Sequence, residues 1–168
     1  MNANETRKEL RGILMNDGAG KRVYVCSKYG TRGNKETNLE LAKMFCMCLI
    51  EGGYTPICPH VFYHEVLNDE VPSQRAAGLE LGLHLLEDCD VLLVCSGLSE
   101  GMKAEIKRAW ELEIPVEIMD MSLIYGEDQA AAVHEAIRGE LEALYGKEHH
   151  TEAYRSAQQR VLFVQRGS

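Results

Sequence analysis

Four short apolar runs, each followed by a stretch of helical periodicity, constrain this chain more than any other feature. They are Arg22 to Ser27, Tyr54 to Cys58, Asp90 to Cys95 and Ile114 to Met119. Parallel strands need a crossover between them, and a helix supplies it, so runs in this alternation point to a parallel sheet. The expected intervening helices cover Thr37 to Glu51, Ser73 to Glu87 and Gly101 to Leu112. A further helix, Asp128 to Tyr145, is ended by Gly146, a residue type suited to closing a helix.

The fold class is therefore α/β: a three-layer, Rossmann-like parallel sheet of four to five strands in flavodoxin-like order, with helices on both faces. Residues 21–146 form the expected domain. Residues 1–20 read as a flexible N-terminal segment containing Asn16-Asp17-Gly18-Ala19-Gly20. Residues 147–168 read as a tail whose Val161-Leu162-Phe163-Val164 patch could add an edge strand, pack on a neighbouring subunit or fray.

The chain has 168 residues, enough for one domain with a real core. Its formal net charge of −8 argues against a nucleic acid polymer as partner, because polyanion binding needs a basic face. A small phosphorylated ligand needs only local positive charge and stays open. No apolar run approaches the ~18 residues of a membrane span, so no membrane association is expected. The polar start, Met1 to Arg11, lacks a signal peptide pattern, and a cytoplasmic address is expected. Six cysteines occur without a Cys-x-x-Cys pair. They read as small buried hydrophobes in a reducing compartment, with no metal and no cofactor expected.

Open parallel sheets bind ligands at the carboxyl ends of their strands. Glu105 is directed there: it shares an apolar helix face with Met102, Ile106 and Ala109, just after the third run. A carboxylate on that face is costly unless it is paired, with Arg108 as one option, or used in chemistry. Off the first run, Ser27-Lys28-Tyr29-Gly30-Thr31-Arg32-Gly33-Asn34-Lys35 gathers three cations, two glycines and two hydroxyl residues. That loop is either a phosphate cradle or a solvated turn. Asn38 could donate into the same site or cap the next helix.

Tyr24 reads as a core tyrosine with a satisfied hydroxyl. His60, at the end of the second run, could line the pocket. With His64 it lacks the further ligands of a zinc site, and His149-His150 read as exposed. On the Ser73 to Glu87 helix the expected buried stripe is Leu79, Leu83 and Leu86 with Ala76. Glu80 and His84 could reach the cleft edge or face water. Asp90 reads as a turn or cap residue.

Three segments carry a resemblance: Val23-Tyr24-Val25-Cys26-Ser27, Cys89-Asp90-Val91-Leu92-Leu93-Val94, and Ser99-x-Gly101-Met102-x-x-Glu105-x-x-x-Ala109. Together they resemble the nucleoside 2-deoxyribosyltransferase superfamily over Arg22 to Met119. The nearer similarity is to its 2′-deoxynucleoside 5′-monophosphate N-glycosidase and cytidylate hydrolase branch, and to uncharacterised relatives carrying Cys-Ser-x-Tyr, Pro-His and Ser-x-Gly-Met-x-x-Glu-Ile.

The resemblance implies an N-glycosidase or deoxyribosyltransferase. Glu105 is then the nucleophile at the anomeric carbon and Tyr24 its orienting partner. Ser99 matches the serine that contacts phosphate in the monophosphate hydrolases. With Ser27, Lys28 and Arg32 it would hold a 5′-phosphate, while Asn38, His60, Gly101 and Met102 complete the expected substrate site. The expected partner is a small nucleotide or nucleoside, and relatives imply a homodimer or higher homo-oligomer with the tail contributing to a neighbour's pocket. One departure stands out. The family's acid–base aspartate falls at Gly82, so the proton donor to the leaving base is unassigned. A nucleotide-binding or sequestering protein without turnover is the alternative, and NAD glycohydrolysis a further one.

Overall fold

The computed structural model describes residues 21–30 and 34–146. Arg32, the segment 1–20 and the tail 147–168 lie outside these described residues, together with the proposed extra strand at Val161 to Val164.

The apolar runs form strands β1 (Arg22–Cys26), β2 (Thr55–Ile57), β3 (Val91–Val94) and β4 (Val116–Ile118). All pairings are parallel, and the order is β2-β1-β3-β4. The central strands carry buried side chains on both faces, as a helix-covered parallel sheet demands: every residue of β3 and all of β1 after Arg22 are buried. The edge strands β2 and β4 are each three residues long, shorter than the apolar runs suggested.

Helices α1 (Lys35–Glu51), α2 (Pro59–Val66), α3 (Pro72–Glu87), α4 (Glu100–Glu111), α5 (Ser122–Tyr125) and α6 (Glu127–Tyr145) connect or follow the strands. The steps β1 to β2 and β2 to β3 run in opposite directions across the sheet. Right-handed crossovers therefore put α1 on one face and α3 on the other. Register settles which side chains share a face. Tyr24 aligns with Leu92 and Cys26 with Val94, pointing toward α3 and α4. Val25, Leu93 and the buried Glu117 point the opposite way.

Two helices go beyond the expected set. Residues 59–66 lie outside every helix expected from the sequence, yet they form α2, with Pro59 in its first turn after the extended Cys58. Proline at that position lacks only an amide that no helical carbonyl would accept, so it starts a helix readily. The four-residue α5 was likewise not anticipated.

The buried face of α3 also differs from expectation. Leu79 is 49% exposed, Ala76 is exposed, and Leu83 is only half-buried. Leu86 is buried as expected, and the helix also buries Gly82, with Gly78 half-buried in the same row. Five leucines spread around α3 leave no dominant apolar face, so close backbone approach through small residues sets its orientation. A Cβ on Gly82 would lie 3.2 Å from the Tyr24 hydroxyl and 3.6 Å from Pro59. Among the described residues no helix is long and apolar enough to cross a membrane.

Candidate active site

Glu105 sits on the buried face of α4 and is 6% exposed. The Tyr24 hydroxyl donates to its Oε1 at 2.9 Å. The Cys26 thiol donates to its Oε2 at 3.1 Å. Both donors come from alternate positions of β1, so one strand face presents them together. The pairing with Arg108 does not form. Arg108 is held at the surface by Glu87 at 3.1 Å and Glu111 at 3.3 Å.

A carboxylate held only by neutral donors pays for its burial in basicity. Desolvation pushes the Glu105 carboxyl up to about 7, against the downward pull of the thiol and phenol hydrogen bonds. Burial first, and the adjacent Glu105 second, push the Tyr24 phenol and the Cys26 thiol well above their ordinary values. Both groups therefore stay protonated and keep donating. The result is a fixed, poorly solvated carboxylate near its titration midpoint at neutral pH.

Glu105 forms part of the wall of a cavity of about 200 Å³ at the carboxyl edge of the sheet. Five residues expected at the site line it: Ser27, His60, Ser99, Gly101 and Met102. Ser27 is 3% exposed, and its Oγ has no hydrogen-bond partner among the described residues. An unsatisfied buried hydroxyl on a residue that lines a cavity is costly unless a partner reaches it. Ser99 caps α4: its Oγ accepts the Met102 amide at 3.4 Å, fixing where that helix begins.

His60 lies in the first turn of α2 and stacks on Tyr29, with ring centroids 4.9 Å apart and planes 7° from parallel. Its Nε2 donates to the Ser27 carbonyl at 2.9 Å. Burial lowers its pKa, so the ring is a neutral Nε2–H tautomer whose one proton is committed to the backbone. This interaction braces the turn leaving β1.

Two expected ligand-holding residues are placed elsewhere. Lys28 does not line the cavity; its Nζ lies 3.5 Å from where a Cβ on Gly97 would be. Asn38 does not line the cavity either; its amide donates to the Tyr29 carbonyl at 3.4 Å, pinning the loop to α1. Glu80 and His84 are exposed and outside the cavity, so neither replaces the missing acid on α3.

Other cavity residues were not anticipated. Tyr29 and Tyr63 supply aromatic wall, and Asp69, Gln74 and Arg75 supply a polar rim from the α2–α3 connection and the start of α3. Cys26 was grouped with the buried hydrophobes, though its position two residues after Tyr24 places it on the same strand face. Among the described residues, no three His, Cys, Asp or Glu side chains gather as a metal site. All six cysteines are free thiols.

Comparison with curated proteins finds no significant match. Among solved structures, the chain is similar to a 2-deoxyribosyltransferase from the psychrotolerant bacterium Bacillus psychrosaccharolyticus. The two are 14% identical, with 67% of this chain and 81% of that chain covered and a TM-score of 0.45. A family model described as a domain of unknown function, DUF7768, matches residues 21–119. That span exceeds half of the chain, which therefore belongs to the DUF7768 family.

Proposed function

We propose that the protein cleaves the N-glycosidic bond of a nucleoside 5′-monophosphate, with Glu105 as nucleophile. The observation that carries this reading is the Glu105 carboxylate itself: buried, without a cationic partner among the described residues, held at both oxygens and part of a cavity wall. Such a group is expensive as structure and well suited to attack on an anomeric carbon. A lone pair on the Glu105 carboxylate attacks C1′ as the bond to the base breaks, and the bonding electrons leave with the base nitrogen. Water then attacks C1′ from the opposite side and releases the Glu105 carboxylate, the proton lost by the water balancing the one taken up by the departed base nitrogen. Two inversions give retention. In this reading Tyr24 and Cys26 hold the carboxylate plane throughout, and Ser27 and Ser99 contact the sugar phosphate.

The test is incubation with a panel of nucleosides, nucleoside 5′-monophosphates, their deoxy forms and NAD, scored by free base. Base release from a monophosphate that falls at least 1,000-fold in Glu105→Gln supports the reading, a loss of about 4 kcal/mol of barrier lowering. Release at an equal rate by the variant would sink the mechanism. Release from NAD alone would transfer it to a different substrate class.

A second reading, ligand binding without turnover, is favoured by Gly82. The position where the resemblance puts the acid carries no side chain, and Glu80 and His84 stand outside the cavity. Recovery of a tightly bound nucleotide intact after long incubation would support that reading over cleavage.

A further inference from the structure

We propose that Arg75, at the start of α3, is the residue that selects a phosphomonoester at this cavity. The inference rests on the nucleotide reading for its substrate class but not on turnover.

Arg75 lines the cavity and makes no ion pair among the described residues. Among the described arginines, Arg108 is bound by Glu87 and Glu111 and Arg138 by Glu135 and Glu142, and of Arg22 and Arg75, which make no ion pair there, Arg75 is the one on the cavity wall. In a chain of net charge −8, a cation left without a carboxylate at a cavity rim is available for an anionic ligand.

Its setting adds to this. Arg75 and its neighbour Gln74 lie in the first turn of the 16-residue α3, where the helix dipole favours negative charge. The Gln74 Oε1 is committed to the Asn68 amide at 2.7 Å, which leaves its NH₂ group as the free end. An independent observation comes from Ser27, which lines the same cavity and whose buried Oγ has no partner among the described residues. A phosphate oxygen would satisfy that hydroxyl while its charge meets the guanidinium. The other carboxylates of the wall restrict the anion. Glu100 is engaged by Lys103 at 2.7 Å, whereas Asp69 and Glu105 disfavour a second negative group near them. The cavity thus suits one phosphomonoester on an otherwise neutral ligand.

Binding is measured by calorimetry on the full chain carrying Glu105→Gln, so that ligands stay intact. The probes are matched nucleosides and nucleoside 5′-monophosphates, pentose 5-phosphate and inorganic phosphate. With Arg75 present, a monophosphate binds at least tenfold more tightly than its nucleoside, and Arg75→Ala removes that gain while leaving nucleoside affinity unchanged. Arg75→Lys restores part of it. Equal affinity of pentose 5-phosphate and monophosphate identifies the sugar phosphate as the recognised unit; weaker pentose phosphate binding identifies the whole nucleotide. Three results would overturn the proposal: no monophosphate binds, Arg75→Ala keeps the full gain, or inorganic phosphate alone depends on Arg75. Absence of base release by the wild type would refute cleavage and leave these binding results standing.

Discussion

The Tyr24 hydroxyl and Glu105 Oε1 meet at 2.9 Å across 81 residues of sequence, joining the central strand β1 to the helix after β3. With the Cys26 thiol on the second oxygen, the contact fixes the plane of a carboxylate that no cation among the described residues balances.

Glu105 makes stability depend on pH. Its carboxyl rises from 4.5 to about 7 on folding. The native state then holds a proton that the unfolded chain releases, so the contribution is complete below pH 4.5 and lost as pH rises through about 7. The shift corresponds to about 3 kcal/mol. Glu105→Gln lacks this loss. Urea melts at pH 5 and pH 8 should show the variant gaining on wild type by up to that amount at the higher pH. A constant difference would refute the linkage.

The two donors set where activity begins to rise with pH. Both hydrogen bonds lower the Glu105 pKa, so losing either raises it. Tyr24→Phe and Cys26→Ala should move the rising limb of the pH–rate profile upward. Cys26→Ser, with a stronger donor in a similar place, should move it down. Tyr24→Phe should also cost about 1–3 kcal/mol of stability, because a buried acceptor loses a partner. Profiles that superimpose would show the donors have no such role.

Ser27→Ala should separate stability from binding. The wild-type Oγ has no partner among the described residues to lose, so removing it should leave the unliganded protein equally stable or more so by up to about 1 kcal/mol. Affinity for the monophosphate should nonetheless fall severalfold. A clear drop in unliganded stability would mean that the hydroxyl has a structural partner.

Gly82→Ala tests the fit of α3 on β1. Alanine in a helix gains about 1 kcal/mol over glycine. Here its Cβ would meet the Tyr24 hydroxyl at 3.2 Å, and Tyr24 is fully buried with no room to retreat. Crowding should outweigh propensity, giving net destabilisation of about 1 kcal/mol and a lower turnover rate as the hydroxyl shifts from Glu105. A variant more stable and equally active would refute the close fit.

The parallel architecture was legible because β1 and β3 are continuous apolar runs with helical patterns between them. Glu105 was legible because its three- and four-residue spacing to Met102, Ile106 and Ala109 placed it on the inward face. The orientation of α3 was not. Its leucines outnumber any single face, and the deciding quantity is how closely the Gly78–Gly82 row approaches Tyr24 and Pro59, which periodicity does not encode. Cys26 was obscured by residue type, although strand alternation aligned it with Tyr24. Arg75 lies 30 residues before Glu105 on a different helix, and only the folded arrangement brings it to the same opening.

The walls of the cavity come from the exit of β1, from α2 and its following loop, from the start of α3 and from α4. These segments are distant in sequence, and none holds the opening alone. A molecule that fills it acts as a keystone, favouring only the state in which all of them are assembled. The heat resistance of the whole sheet becomes a reporter of occupancy. A library of metabolites can then be ranked by melting temperature alone, before any reaction is known.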